Sequence, residues 1–202
     1  MEKNLYADTA NTEQKSNSKN VLIVFGSPHK DGYTAELMKS FISGLPGGAH
    51  IDIVSAFISK ILPCIDCGLC KKKLGCAFDD FDDFDKKFQS ADVVVIATPV
   101  YNMSVPAPLK NIIDRTQQYY NARFHLGTQA VKKHKKAVLL VTSGSDEQDG
   151  AKHIKKMLAR MFTVMNTELC AEVCLLGTDR CDEDDLKKAL FCERHEASAI
   201  FS

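Results

Sequence analysis

Three short apolar runs stand out along the chain: residues 21–25 (VLIVF), 93–97 (VVVIA) and 137–141 (AVLLV). Each is rich in β-branched or aliphatic residues and stops at a Gly, Pro or Ser/Thr, the pattern of a strand buried on both faces. Residues 51–56 and 169–176 repeat the pattern more weakly. Between these runs the apolar positions change to a spacing of three and four. Leu37, Met38, Phe41, Ile42 and Leu45 follow it, as do Leu109, Ile112 and Ile113, and Ile154, Met157, Leu158, Met161, Phe162 and Met165. That spacing puts one apolar stripe on a helix, and such stripes belong to a core. Strand and helix alternating five times predict a parallel sheet with helices on both faces, an α/β three-layer sandwich around five strands. Ligands in such sheets bind beyond the carboxyl ends of the strands. The loops after Phe25, Ala97 and Val141 are therefore where function is expected.

Composition narrows the classes. The 202 residues include 45% hydrophobic and 26% charged positions, a globular balance suited to one core, with neither an internal repeat nor a second domain. Basic and acidic residues number 26 each, so no global charge draws the chain to nucleic acid or to an anionic membrane. Residues 1–19 are polar and read as a disordered tail, neither signal peptide nor membrane anchor, with a single domain over 20–202. A cytoplasmic location with reduced thiols is expected. The acidic stretch 79–85 and the basic stretch 132–136 read as solvated faces, though the basic one could also attract a phosphate-bearing nucleotide. Segment 117–126 (QQYYNARFHL) could line an interface, form a substrate lid or be an ordinary surface loop.

The loop after the first run is Gly26-Ser27-Pro28-His29-Lys30-Asp31-Gly32-Tyr33-Thr34, followed at once by a helix. Ser27 and Thr34 supply hydroxyls, Gly32 allows close approach of backbone, and His29 or Lys30 could add charge. The helix amino end offers unpaired N–H groups and the positive end of a dipole. Neither the Walker pattern nor a Gly-x-Gly-x-x-Gly fingerprint is present, so a monophosphate fits better than a triphosphate or a dinucleotide. The third run continues into Thr98-Pro99-Val100-Tyr101-Asn102-Met103-Ser104, stiffened by prolines and carrying an aromatic ring and an amide at its tip. Such a loop can lie along a planar heterocycle. After the fourth run, Ser143 and Gly144 are small enough to let a ring lie against backbone.

Four of the eight cysteines, Cys64, Cys67, Cys70 and Cys76, form a Cys-x2-Cys-x2-Cys-x5-Cys run on the long connection over residues 60–80. Thiolates at this spacing can wrap a [4Fe–4S] cube. A zinc site, a dithiol switch of Cys67 and Cys70, and a loop that no longer carries its cluster remain open. Cys170, Cys174, Cys181 and Cys192 read as small buried hydrophobes.

Gly-Ser-Pro-x5-Thr followed by Pro-Val-Tyr-Asn-x-Ser-x-Pro-x-x-Leu-Lys-Asn-x-x-Asp resembles the flavodoxin-like NAD(P)H-dependent FMN reductases. With the cysteine run added, the chain resembles their iron–sulfur flavoprotein branch. The resemblance implies FMN, with Ser27, His29, Tyr33 and Thr34 around its phosphate. Pro99, Val100, Tyr101, Asn102, Met103 and Ser104 would lie along its isoalloxazine, with Ser143 and Gly144 at the ring's other side. It further implies NAD(P)H as co-substrate, a quinone-like, flavin or redox-protein acceptor, and a homodimer or homotetramer. The cysteines would hold a [4Fe–4S] cluster that takes single electrons from reduced flavin. No side chain is named as a catalytic acid or base. Two other classes stay in view: an FMN/iron–sulfur electron carrier without a substrate of its own, and a zinc-stabilised regulatory protein without flavin.

Overall fold

A computed structural model describes residues 18–182 together with 184, 186–188 and 190. All but the last two residues of the expected tail, and Cys192, lie outside the described residues. Five strands, β1 (Asn20–Phe25), β2 (His50–Ser55), β3 (Val93–Pro99), β4 (Lys135–Thr142) and β5 (Thr167–Leu175), form one sheet in the order β2-β1-β3-β4-β5. Every pairing is parallel. This is the flavodoxin-like order, in which the sequence of strands reverses between β1 and β3 and opens a crevice there. The two weaker runs, 51–56 and 169–176, are the edge strands, which explains their diluted pattern.

The pleat sorts the apolar residues onto two faces. Val21, Ile23, Val95 and Leu140 pack with Leu37 and Phe41 of α1 (Tyr33–Ser43). Leu22, Val24, Val94, Ile96 and Leu139 pack with α2 (Asp82–Ser90), α3 (Ala107–Arg115), α4 (Gln117–Phe124) and α5 (Asp149–Val164) on the other side. No helix among the described residues is long and apolar enough to cross a membrane.

The structure refines three expectations. The acidic stretch runs into α2: its aspartates at 82 and 83 are exposed, but Phe81, Phe84 and Phe88 are buried on the sheet. The basic stretch is not wholly solvated, and it lies at the amino end of β4, opposite the crevice. Lys135 is 1% exposed, and its Nζ donates to Gln89 O at 3.0 Å and Ala91 O at 2.9 Å. Lys133 Nζ donates to Ser90 O at 2.7 Å, so two lysines cap the carbonyl end of α2. Burial, with the neighbouring Lys133 charge, pushes the Lys135 ammonium down to about 8. Finally, Cys170 and Cys174 are exposed and Cys181 is half-buried, against the expectation of buried thiols. Cys170 and Cys174 stand on β5, at a sheet edge.

Candidate functional site

The strand β1 leaves the sheet through Gly26, whose N–H donates to Ala97 O at 2.8 Å. A Cβ on Gly26 would stand 2.6 Å from Leu109 Cδ2; only glycine lets this loop pass so close to α3. The helix α1 then begins behind Gly32, whose backbone is extended and which makes no side-chain cap. Its carbonyl accepts from Ala35 and Glu36 at 2.8 and 3.1 Å. The first-turn N–H groups therefore have no side-chain acceptor from the N-cap position and face the crevice with the positive end of the helix dipole. Ser27 Oγ accepts from His29 N–H at 3.2 Å, which leaves its proton for another partner. Thr34 Oγ1 and Thr142 Oγ1 are 2.7 Å apart and buried. Only one proton lies between two hydroxyls, so the pair retains a second to donate.

Two further loops close the crevice. Val100 N–H donates to Thr142 O at 2.8 Å, and Tyr101 and Ser104 exchange backbone hydrogen bonds at 2.8 and 2.9 Å. Between them Asn102 and Met103 both have positive φ, 48° and 63°, a two-residue turn that holds Tyr101 at its edge. Beyond β4, Ser143 O accepts from Thr178 N–H at 2.9 Å and from Thr178 Oγ1 at 3.2 Å. Asp179 N–H donates to Gly144 O at 3.3 Å, and a Cβ on Gly144 would meet the Asp179 carboxylate at 2.6 Å.

These loops enclose a cavity of about 270 Å³. It brings together Ser27, His29, Gly32, Tyr33 and Thr34, then Pro99, Val100 and Tyr101, then Ser143 and Gly144. Asn102, Met103 and Ser104 build the turn beside it rather than its wall. Lys30 lines a neighbouring hollow with Phe25, Met38 and Phe57. Thr142, Thr178 and Asp179 complete the wall, and Thr178 and Asp179 were missed from sequence. The loop after β5 follows the fifth parallel strand, so it too sits at a carboxyl end, but the weak pattern of that strand drew no attention to it. None of the described lining residues is lysine or arginine. Helix N–H groups, hydroxyls and the positive end of the helix dipole are the donors this wall offers, a set that fits an FMN phosphate.

The cysteine loop lies between β2 and α2 and is tied at its neck. Asn111 Nδ2 donates to Ile61 O at 3.2 Å, and Leu62 N–H donates to Asp80 Oδ2 at 2.7 Å. Arg115, its side chain 1% exposed, donates to Leu62 O at 3.0 Å, Phe78 O at 3.1 Å and Asp80 Oδ1 at 2.6 Å. The guanidinium also lies 5.4 Å from the ring centroids of Phe78 and Phe81. Burial alone would raise the Asp80 carboxyl, but the bonds from Arg115 and Leu62 outweigh it and hold the group below its ordinary range. Inside the loop, Cys64 and Cys67 are exposed and Cys70 and Cys76 half-buried. Asn121 Nδ2 of α4 donates to Cys70 Sγ at 3.0 Å. Among the described residues no three Cys, His, Asp or Glu side chains gather closely enough to hold a metal ion. The four thiols share a loop without converging.

Comparison with known proteins agrees with this geometry. Residues 19–172 match the family described as NADPH-dependent FMN reductase. An iron–sulfur flavoprotein of Methanocaldococcus jannaschii is 32% identical over 99 residues, 48% of this chain and 51% of that protein. An FMN-dependent NADH:quinone oxidoreductase of Gluconobacter oxydans is 39% identical over 69 residues, 33% of this chain and 34% of that protein. The chain thus aligns with about half, or less, of the length of the curated relatives named here. Among solved structures, an NAD(P)H:quinone oxidoreductase from Methanothermobacter marburgensis superposes with a TM-score of 0.75 at 19% identity, covering 91% of this chain and 96% of that one. An FMN-dependent NADH-azoreductase from Bacillus anthracis, in complex with FMN, gives 0.68 at 17% identity over 91% of this chain and 100% of that one. At these identities the structures share the fold.

Proposed function

The chain belongs to the NADPH-dependent FMN reductase family, and on that footing we propose that it is an FMN-dependent oxidoreductase. In this reading it takes hydride from NAD(P)H and passes electrons to a quinone-like, flavin or protein acceptor. The observation that carries the reading is the uncapped amino end of α1, facing a switch-point cavity that has hydroxyls but no lysine or arginine in its described wall. Bound FMN supplies the redox chemistry, accepting hydride from a nicotinamide and releasing electrons to the acceptor. The chain binds and orients. Ser27, Thr34 and Thr142 offer hydroxyls to the phosphate, the Tyr101 turn forms a rigid edge for the ring, and Gly144 with Asp179 bounds the far wall. Relatives named as FMN-dependent NADH:quinone oxidoreductases favour a quinone among the acceptors.

The four-cysteine loop and relatives named as iron–sulfur flavoproteins support Cys64, Cys67, Cys70 and Cys76 as ligands of a [4Fe–4S] cluster. The thiols must converge to hold it, and the flavin site does not depend on it. Exposed Leu62, Ile65 and Leu74 on the cysteine loop support a homodimer or homotetramer, and the cytoplasm, where thiols are kept reduced, is the compartment this reading assigns. The test is NAD(P)H oxidation by anaerobically purified, FMN-loaded protein with a quinone acceptor. Turnover that follows FMN occupancy supports the reductase; negligible turnover at full occupancy overturns it in favour of an electron carrier.

A further inference from the structure

The loop between β1 and α1 borders two spaces. Ser27 lines the crevice and also a second hollow of about 230 Å³, which Lys30, Met38, Phe57 and Ile58 help to wall. Phe25 and Ser55, the last residues of β1 and β2, line it too, so it opens at the carboxyl ends of those strands. Ser55 O accepts from the N–H groups of Ile58 and Ser59 at 3.1 and 2.9 Å. This turn holds Phe57 and Ile58 at the hollow, 38% and 64% exposed. Apolar side chains fixed beside an open hollow are a binding surface rather than core.

Lys30 supplies the charge. Among the described residues it makes no hydrogen bond or ion pair, whereas Lys39 of α1 is held by Glu36 at 2.8 Å and Asp31 at 3.7 Å. Apolar walls with one uncommitted ammonium suit a flat ring that carries an anion, and a phosphorylated nucleoside has both.

The sheet order gives the hollow its role. The rigid edge for the flavin ring follows β3, the phosphate donors follow β1, and the hollow lies at β1 and β2. Neighbouring strands are about 4.8 Å apart, which sets β2 roughly 10–15 Å from β3 and β4. An extended dinucleotide separates its two rings by a distance of that order. A coenzyme whose nicotinamide reaches the Tyr101 turn can therefore leave its adenosine at β2.

We propose that this hollow is the adenosine subsite for NADPH, with Met38, Phe57 and Ile58 against the adenine and Lys30 paired with the 2′-phosphate. This rests on the reductase reading given above and adds to it a preference for NADPH over NADH, set by Lys30.

The experiment titrates the full-length, FMN-loaded protein by calorimetry with 2′,5′-ADP and with 5′-AMP, neither of which can reduce flavin. Wild type, Lys30→Met and Phe57→Ser are compared, with retained FMN measured in each. Flavin reduction by NADPH, NADH and reduced nicotinamide mononucleotide, which lacks adenosine, is followed in parallel. Wild type should bind 2′,5′-ADP about 10–100-fold more tightly than 5′-AMP, the contribution of one charge-assisted contact. Lys30→Met should erase that difference and the NADPH preference in kcat/KM together. Phe57→Ser should weaken both adenosine ligands by about 5–100-fold through lost stacking. If wild type binds neither ligand, or binds both as the variants do, the subsite is overturned. Reduction by the mononucleotide then leaves the reductase reading standing. A dimer lost in Phe57→Ser with nucleotide binding unaltered overturns the subsite in favour of a second copy of the chain. An FMN that none of the three nicotinamides reduces overturns the reductase reading and the coenzyme subsite with it.

Discussion

Replacing Thr34 with valine removes one hydroxyl from the 2.7 Å pair with Thr142 while keeping the side chain's shape. Two effects follow, and they separate. Thr142 is 4% exposed, so its hydroxyl is left buried without its partner at a cost of about 1–3 kcal/mol. In a domain of this size that lowers Tm by roughly 2–4 °C for each kcal/mol. A phosphate at the amino end of α1 also loses the Thr34 hydroxyl as a donor, a charge-assisted contact worth about 1.5–3 kcal/mol, or about 10–150-fold in FMN Kd. The double variant Thr34→Val/Thr142→Val removes both hydroxyls, and replacing both partners by apolar groups of the same shape is nearly neutral for stability. Thermal melts of the apoprotein and FMN titration by flavin fluorescence quenching read the two effects. The expected pattern is a lowered Tm in the single variant, recovery in the double, and weak FMN binding in both. Unchanged FMN affinity in both variants would refute the phosphate assignment; a double variant as unstable as the single would refute the buried-pair argument.

Other perturbations have equally definite outcomes. Gly144→Ala puts a Cβ 2.6 Å from the Asp179 carboxylate, so FMN titration should show weaker binding that Asp179→Ala partly restores; an affinity indifferent to Asp179 contradicts that wall. Lys135 sits near 8 in the fold against 10.5 in the unfolded chain. Between these values the unfolded state holds more protons, so this lysine makes stability rise with pH by at most about 1.4 kcal/mol per unit. Urea denaturation from pH 7 to 9.5 should show that rise shrinking in Lys135→Met relative to wild type. Asp80→Asn leaves the buried Arg115 charge unpaired and should cost about 1.5–3 kcal/mol at pH 7. Because the Asp80 carboxyl is lowered in the fold, its contribution is present above the ordinary carboxylate range and lost as pH falls below it. The wild-type advantage over Asp80→Asn in urea should therefore vanish in acid.

The parts of the fold legible in sequence are those where burial on both faces left nothing but apolar residues: β1, β3 and β4, and the stripes of α1, α3 and α5. The crevice loops followed directly, because strand ends in a parallel sheet are where such loops must lie. The helix α2 was hidden because the stripe of Phe81, Phe84 and Phe88 is interleaved with aspartates that dominate the composition. Thr178 and Asp179 follow an edge strand whose outward residues are polar, so its carboxyl end carried no signal. Arg115 and Lys135 look like surface cations in any sequence; their burial comes from the carbonyls they cap, which only the folded chain brings together. The cysteine spacing was plain, but convergence of four thiols is a property of loop geometry that spacing alone does not determine.

The central claim is that the crevice at the carboxyl ends of β1, β3 and β4 holds an FMN that NAD(P)H reduces. Anaerobic addition of NADH or NADPH to the FMN-loaded protein, followed by the flavin absorption band, tests it most directly. The account predicts one FMN retained per chain, bleached by the nicotinamide and recovered with a quinone, and retention lost in Thr34→Val/Thr142→Val. A protein that retains no FMN, or whose bound FMN stays oxidised under excess NADH and NADPH alike, would contradict it.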